Sequence, residues 1–321
     1  MTTLAAITAA AERVRGAVRR TPLLNAPLLD RIAGRRIWVK AECLQVTGSF
    51  KARGGWSAVS SLPPDTPGVL AMSSGNHAQG VAWAAAAHGM EAVIVMPADA
   101  PQVKIANTRA YGAEVVLYDR ATENREALAA RLSAERGLVL IPPYDHPEVI
   151  AGQGTTGLEI AEQAAETGID AADVLVCCGG GGLSAGIAVA LEAAAPTFRV
   201  RTVEPSGFDD MARSLASGTR MRNNAATGSI CDAILTPTPG QMTLPLLHDR
   251  AGPGLSVSDD EALRAMALAF HHLRVVAEPG GAVALAAALF RDDLPDQVIC
   301  TLSGGNVDPA LLTGALAATP A

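Results

Sequence analysis

Reactive or anion-binding side chains lie beside glycines in four short stretches of this chain. Lys51 lies in Thr47-Gly48-Ser49-Phe50-Lys51-Ala52-Arg53-Gly54-Gly55, between two small-residue turns. A lysine held there can be partly buried, which lowers its pKa and makes its amine a Schiff-base candidate. In Cys177-Cys178-Gly179-Gly180-Gly181-Gly182-Leu183-Ser184 an apolar run meets four glycines and then a helix-like segment. Backbone N–H groups freed of Cβ can close around an anion at a helix N-terminus, so Gly179, Gly180, Gly181 and Gly182 read as a phosphate cradle. The spacing is neither the dinucleotide G-x-G-x-x-G with its acidic partner nor a P-loop. A tight structural turn is the simpler reading of the same glycines.

Ser73-Ser74-Gly75-Asn76-His77-Ala78-Gln79-Gly80 offers hydroxyls, an amide and free N–H donors at a strand-to-helix junction, which suits a carboxylate. His77 alone reads more simply as a packed histidine than as a base. Leu302-Ser303-Gly304-Gly305-Asn306 sets a hydroxyl after the last strand, where open α/β sheets bind ligands. Glu204-Pro205-Ser206-Gly207-Phe208-Asp209-Asp210 offers two carboxylates with the Phe208 carbonyl between them, hard oxygen ligands that suit Mg²⁺, Ca²⁺ or Mn²⁺. By itself such an acidic loop is ordinarily just solvated. Arg125, in Glu123-Asn124-Arg125-Glu126, reads as a surface charge on a helix, and His271-His272 closes another helix, where a cation complements the dipole.

These groups need a frame, and the pattern supplies one. Short apolar runs alternate with Gly-rich or polar turns and Ala-rich stretches at helical spacing, which predicts βα units on a parallel sheet. Strands are expected at 36–40, 69–72, 92–96, 114–118, 174–178, 200–204 and 297–302. Helices are expected at 78–88, 102–111, 122–136, 154–167, 183–194, 258–271 and 282–290. Residues 68–145 form a self-contained βαβαβα run, and the polar passage 217–240 lacks periodicity, as a loop lining a site would.

Composition narrows the function further. The chain has 321 residues, 49% hydrophobic and 3% aromatic, with 25 basic against 32 acidic side chains. That is enough for a sizeable aliphatic core and excludes disorder. The net charge of −7, without any basic run, argues against nucleic-acid or anionic-membrane surfaces. Five cysteines without a C-x-x-C pair read as reduced thiols of a cytoplasmic protein, with Cys177 and Cys178 as packing residues and zinc disfavoured. The first ten residues carry no signal-peptide pattern, and the apolar stretch 174–191 holds too many glycines for a membrane span.

Taken in order, the motifs resemble the fold type II pyridoxal-phosphate enzymes of the serine/threonine dehydratase (ammonia-lyase) and serine racemase family. The likeness spans nearly the whole chain, from Arg20-Thr21-Pro22-Leu23 through Ile150-Ala151-Gly152-Gln153-Gly154-Thr155 and Val276-Ala277-Glu278-Pro279-Gly280-Gly281-Ala282 to the Ser303 motif. It implies a tryptophan synthase beta-like α/β fold of two open, twisted, mostly parallel sheets flanked by helices. A large cofactor domain would comprise 1–67 and 146–321, and a small mobile domain 68–145. The implied cofactor is pyridoxal 5'-phosphate. Lys51 would hold its aldehyde and then take the substrate Cα proton, Phe50 would pack beside the ring, and Asn76 would meet the 3-hydroxyl. Gly179 to Gly182 would bind the phosphate, and Ser303 would meet the pyridine nitrogen as a neutral partner.

The implied reaction is dehydration and deamination of a small β-hydroxy amino acid, L-threonine or L-serine, to a 2-oxo acid and ammonia. The substrate carboxylate would lie on Ser73, Ser74, Gly75, Asn76 and His77. Ser74 matches the residue that donates a proton to the opposite face in the racemase branch, which keeps serine racemase as an alternative. Arg125 matches a position near the site mouth there and could attract a second carboxylate, a hint toward threo-3-hydroxyaspartate dehydratase. Residues 229–240, with Asp232 and Thr236, would line the β-substituent side. Glu204, the Phe208 carbonyl and Asp210 are similar to the structural cation site of cation-activated members. A homodimer is expected by resemblance, and the chain's end soon after Ser303 leaves no room for the regulatory domain of biosynthetic dehydratases. Gly55-Trp56 and Thr155-Thr156-Gly157 depart from the commonest wording and bear on substrate more than reaction. From other classes, a nicotinamide oxidoreductase lacks its acidic ribose partner, and a non-catalytic sensor would be expected to lose Lys51 or Ser74.

Overall fold

Ten strands divide between two sheets in the computed structural model, which describes residues 2–100 and 102–319, the Val103 side chain apart. They are β1 (Leu23–Leu24), β2 (Arg36–Lys40), β3 (Gly68–Met72), β4 (Glu91–Pro97), β5 (Glu114–Tyr118), β6 (Val139–Leu140), β7 (Ala172–Cys177), β8 (Phe198–Pro205), β9 (Leu255–Val257) and β10 (Gln297–Thr301). The larger sheet runs β1-β2-β10-β7-β8-β9 and is parallel except for β1 on β2, and the smaller runs β5-β4-β3-β6 in parallel throughout. Both are flanked by helices. Every residue of β7 is buried, as a strand covered on both faces requires.

The aliphatic core lies on either side of the larger sheet. One cluster packs β2 and β10 against the helices Pro279–Phe290 and Asp259–Leu268, and another packs β7 against Pro147–Thr167 and Gly182–Ala194. Replacing one of its fully buried residues, such as Leu285, by alanine would cost about 2–5 kcal/mol. The apolar stretch 174–191 is a strand, a glycine loop and a helix, and among the described residues no helix is long and apolar enough to cross a membrane.

All seven expected strands are present, with ends shifted by at most two residues, and all seven expected helices are present in part. Several boundaries are corrected. The helix expected from 154 begins at Pro147, and the one expected from 122 begins at Arg125, because the Asn124 side chain caps it by accepting from the Ala127 N–H. Ser258 and Glu261 form a reciprocal capping box ahead of Asp259–Leu268, which passes into a π turn at Ala269–Leu273. The second turn expected after Lys51 is helix: Gly54 and Gly55 lie inside Lys51–Ser60.

Candidate active site

Lys51 opens the helix Lys51–Ser60, and Arg53, one half-turn further on, anchors that helix in a buried ionic cluster. The Arg53 guanidinium donates to both carboxylate oxygens of Glu42 and both of Glu159, and the Lys40 ammonium donates to Glu159 at 2.5 Å and to the Thr21 carbonyl at 2.8 Å. The pairing is needed because a lone charge buried there is unfavourable, by about 3–5 kcal/mol when one partner is removed. Lys51 itself has no acidic partner among the described residues. Its Nζ donates to the Pro143 carbonyl at 2.5 Å and lies 5.0 Å from the Phe50 ring centroid. Burial alone pushes its pKa down to about 7, so its amine is readily available as a base near neutral pH.

Two compartments meet at Lys51. The outer, a cavity of about 420 Å³, is bordered by Arg125, Tyr144 and Gly179 to Gly182, and the inner, about 100 Å³, by Ser74, Gly75, Asn76, His77, Glu278 and Ser303. Phe50, Lys51 and Ser73 border both. The four glycines end at the N-terminus of the helix Gly182–Ala194, and Gly181 holds φ +90°, a left-handed conformation that disfavours side chains. A Cβ on Gly180 would collide with the Tyr144 ring, and one on Gly179 would lie 2.9 Å from the Ile234 carbonyl. Bare backbone N–H groups at a helix start, beside a desolvated lysine, fit a phosphorylated aldehyde.

The inner compartment gathers residues from segments far apart in the chain. Asn76 opens the helix Asn76–Ala87 and is bonded to Glu278, a carboxyl that burial pushes up to about 7. His77 is buried and its Nε2 bonds the Ile141 carbonyl at 2.8 Å. Burial, then the nearby Lys51, hold its pKa down to about 3, so it is a neutral, packed histidine. Ser303 is buried just after β10, and its carbonyl accepts from the Phe50 N–H, tying it to the segment before Lys51.

Of two groups read as surface charges, Arg125 is one and the Glu204 loop is not. Arg125 is half-exposed and pairs with Glu126, yet it stands on the wall of the outer cavity. The Glu204 loop is not solvated: Glu204 and Asp210 are 0% and 1% exposed. Glu204 accepts the N–H groups of Met211 and Ala212, Asp210 Oδ1 accepts from Asn223, and Asp210 Oδ2 is buried without a partner. Burial and then the neighbouring Asp210 carboxyl push Glu204 well above the usual range, and burial pushes Asp210 up to about 6. No cluster of three His, Cys, Asp or Glu side chains is gathered among the described residues. The 229–240 passage borders the cleft through Asp232 and Thr236, and Asp232 pairs with Lys104 of the smaller-sheet unit at 2.7 Å.

Tyr144, Pro143, Glu278 and Asn306 were not singled out by residue chemistry. Tyr144 carried one usable signal, being one of only three tyrosines in the chain.

The family model described as pyridoxal-phosphate dependent enzyme matches residues 14–304. The chain belongs to this family. Within the pyridoxal-phosphate dependent enzymes it is 41% identical over 303 residues to an L-threo-3-hydroxyaspartate ammonia-lyase of Pseudomonas sp, covering 93% of each chain. It is 37% identical over 309 residues to a serine racemase of Oryza sativa subsp. indica, covering 94% of this chain and 89% of that one. Among solved structures of the family, a T.th. threonine deaminase superposes with a TM-score of 0.91 at 47% identity, over 95% of this chain and 99% of that one. A solved threonine deaminase and a solved maize serine racemase thus share this fold, the fold type II arrangement expected from the motifs.

Proposed function

We propose that this family member is an ammonia-lyase that eliminates water from a small β-hydroxy amino acid, L-threonine or L-serine first, to an enamine whose imine tautomer then takes up one water and releases ammonia, giving a 2-oxo acid. The observation that carries the reading is the Lys51 amine, desolvated and lacking an acidic partner, where a glycine-lined anion cavity meets a pocket of small polar groups. Bound pyridoxal phosphate supplies an electron sink for the charge that develops at the substrate Cα.

The side chains then divide the work. Gly179 to Gly182 hold the phosphate, Phe50 packs beside the ring, and Asn76 donates to its phenolic oxygen. Ser303 would meet the pyridine nitrogen with a hydroxyl, which would not hold that nitrogen protonated as a carboxylate would. Ser73 to His77 receive the substrate carboxylate on N–H groups at the start of the helix Asn76–Ala87. Lys51, whose amine burial leaves in good part unprotonated near pH 7, takes the Cα proton. Ser74 borders the same pocket as Lys51, so a racemising side reaction would use its hydroxyl to return a proton.

The unit 68–145 would close on the rest and exclude water, a motion supported by the pocket's division between the two sheets' units. Glu204, the Phe208 carbonyl and Asp210 would hold Mg²⁺, Ca²⁺ or Mn²⁺, which is supported by the orphan Asp210 Oδ2 and the buried Glu204 carboxyl near it. A homodimer in the cytoplasm belongs to the same reading, and five buried, unpaired cysteines support the reducing compartment.

Arg125 on the cavity wall favours a second reading, in which the substrate is threo-3-hydroxyaspartate. The deciding assay is 2-oxo acid release by cofactor-loaded protein from L-serine, L-threonine and the hydroxyaspartate isomers, with residual substrate checked for enantiomeric change. Rapid release from L-threonine or L-serine supports the first reading, release from hydroxyaspartate alone supports the second, and inversion without oxo acid overturns both in favour of a racemase.

A further inference from the structure

Glu278 has no part in the chemistry above, yet it is 2% exposed and borders the same pocket as Lys51, Asn76 and Ser303. Its backbone N–H donates to the Gly304 carbonyl at 3.0 Å, and the Ser303 N–H donates to the Gly281 carbonyl at 3.0 Å. The turn that opens the helix Pro279–Phe290 is thereby fastened to the segment after β10. Gly304 leaves room for the Glu278 carboxylate, which a Cβ there would displace.

The Glu278 side chain accepts from Asn76 Nδ2. The other end of the same amide, Asn76 Oδ1, accepts from Asn306 Nδ2 at 2.7 Å, and Asn306 is itself fixed by donating to the Thr47 carbonyl at 2.9 Å. The orientation of the Asn76 amide is settled by these two neighbours, since a flip would set its carbonyl against a carboxylate and its NH₂ against another NH₂. An amide nitrogen carries two hydrogens, so one Nδ2–H of Asn76 remains unspent.

We propose that Glu278 is a positioning residue: together with Asn306 it holds the Asn76 amide so that the remaining Nδ2–H meets the cofactor's phenolic oxygen, and its charge sets the potential there. This rests on the reading of Asn76 as the partner of that oxygen. Among the described residues, the charged and titratable groups near Glu278 are Lys104, Asp232 and Cys43, with Lys51 and His77 on the same pocket. Lys104 already pairs with Asp232, which leaves the Asn76 amide as the side-chain donor to the Glu278 carboxylate.

The test uses cofactor-loaded protein and reads the pH titration of the cofactor's visible absorbance band, together with the Kd for pyridoxal phosphate. Removing the negative charge disfavours protonation nearby, so Glu278→Gln should lower the titration midpoint by about one pH unit. Glu278→Ala should also weaken cofactor binding by about tenfold or more, since it strips a charged hydrogen-bond partner from Asn76. Asn306→Ala should weaken cofactor binding in the same direction by freeing the amide. Where Glu278→Ala does not fold, Glu278→Gln and Asn306→Ala carry the test. Unchanged midpoint and Kd in both would overturn the proposal. Asn76→Ala separates the two levels: if it also changes neither quantity, the reading of Asn76 fails, and if it shifts them while the Glu278 and Asn306 variants do not, only the present inference falls.

Discussion

Gly55 and Gly80 face one another where the helix Lys51–Ser60 crosses the helix Asn76–Ala87. A Cβ on Gly55 would lie 2.7 Å from the Gly80 carbonyl, and a Cβ on Gly80 would lie 2.7 Å from the Lys51 carbonyl oxygen. The two helices therefore touch backbone to backbone. Because one begins at Lys51 and the other at Asn76, this contact sets how far the amine stands from the Ser73–His77 turn. Each glycine costs its own helix roughly 1 kcal/mol of propensity relative to alanine, a cost that the close approach explains.

Gly80→Ala should accordingly destabilise the protein by about 1–3 kcal/mol, as added methyl groups do in a filled contact, and should lower turnover by pushing the two helices apart. Gly314→Ala is the control, since that exposed helical glycine faces open space, and it should stabilise by up to about 1 kcal/mol. Urea unfolding of both variants checks the pair. Equal effects at the two sites would refute the argument.

Lys51→Met should abolish turnover and the cofactor's visible band, and it makes a separate prediction for the cofactor-free protein. Burial holds the folded pKa of Lys51 near 7, against 10.5 for the free side chain. Between those values the unfolded chain binds the proton and the folded chain does not, so this group makes stability rise with pH across that window and penalises folding below it. The methionine variant lacks the penalty. Its stability relative to the parent should be greatest near pH 7 and should fall by a few kcal/mol, on the order of 1.4 per pH unit, as pH rises toward 10. Urea unfolding of both proteins at pH 7, 8 and 9 gives the difference, and a difference independent of pH would mean that Lys51 is not desolvated.

The central strands were legible because Val and Ile runs leave a local signal, whereas β1, β6 and β9 are two or three residues long and leave none. The helices that carry the site were harder for a physical reason. Gly54 and Gly55 read as a turn, and Gly152 and Gly154 hid the first turns of Pro147–Thr167, yet these glycines are contact points: a Cβ on Gly186 of the neighbouring helix would lie 2.5 Å from the Ile150 carbonyl. Lys51, the Ser73–His77 turn, the glycine loop and Ser303 could be found from local composition, and the structure brings them to one cleft. Glu278 could not, because its partner Asn76 is 202 positions away. Nor could the burial of Glu204 and Asp210, which depends on how the chain around 223 folds back over them.

Arg125→Ala should separate the candidate substrates. Its guanidinium stands on the outer cavity wall with only the exposed Glu126 as an ionic partner, a pair of little energetic weight, so it is free to meet a ligand anion. If the substrate carries a second carboxylate, the variant should raise KM for threo-3-hydroxyaspartate by about tenfold or more, the scale of a lost charge-assisted hydrogen bond, and leave KM for L-serine and L-threonine within about twofold. Arg125→Lys should fall between, because an ammonium lacks the bidentate fork. Steady-state kinetics on the three substrates decide it, and a uniform change across them would make Arg125 part of general folding or closure.

The buried carboxyls of Glu204 and Asp210 give the last prediction. Two acidic groups in a desolvated loop, one with an oxygen lacking any partner, repel each other unless they hold a proton or a cation lies between them. Millimolar Mg²⁺, Ca²⁺ or Mn²⁺ should therefore raise the melting temperature by several degrees, and chelation should reverse the gain, because a ligand that binds only the folded state stabilises it by mass action. Asp210→Asn should abolish that response, and it should stabilise the metal-free protein by relieving the repulsion while its remaining oxygen still accepts from Asn223. Thermal melts with and without each cation, in both proteins, measure this directly. An equal cation response in the variant would place the ion elsewhere, and no response in the parent would leave the two carboxyls to share protons.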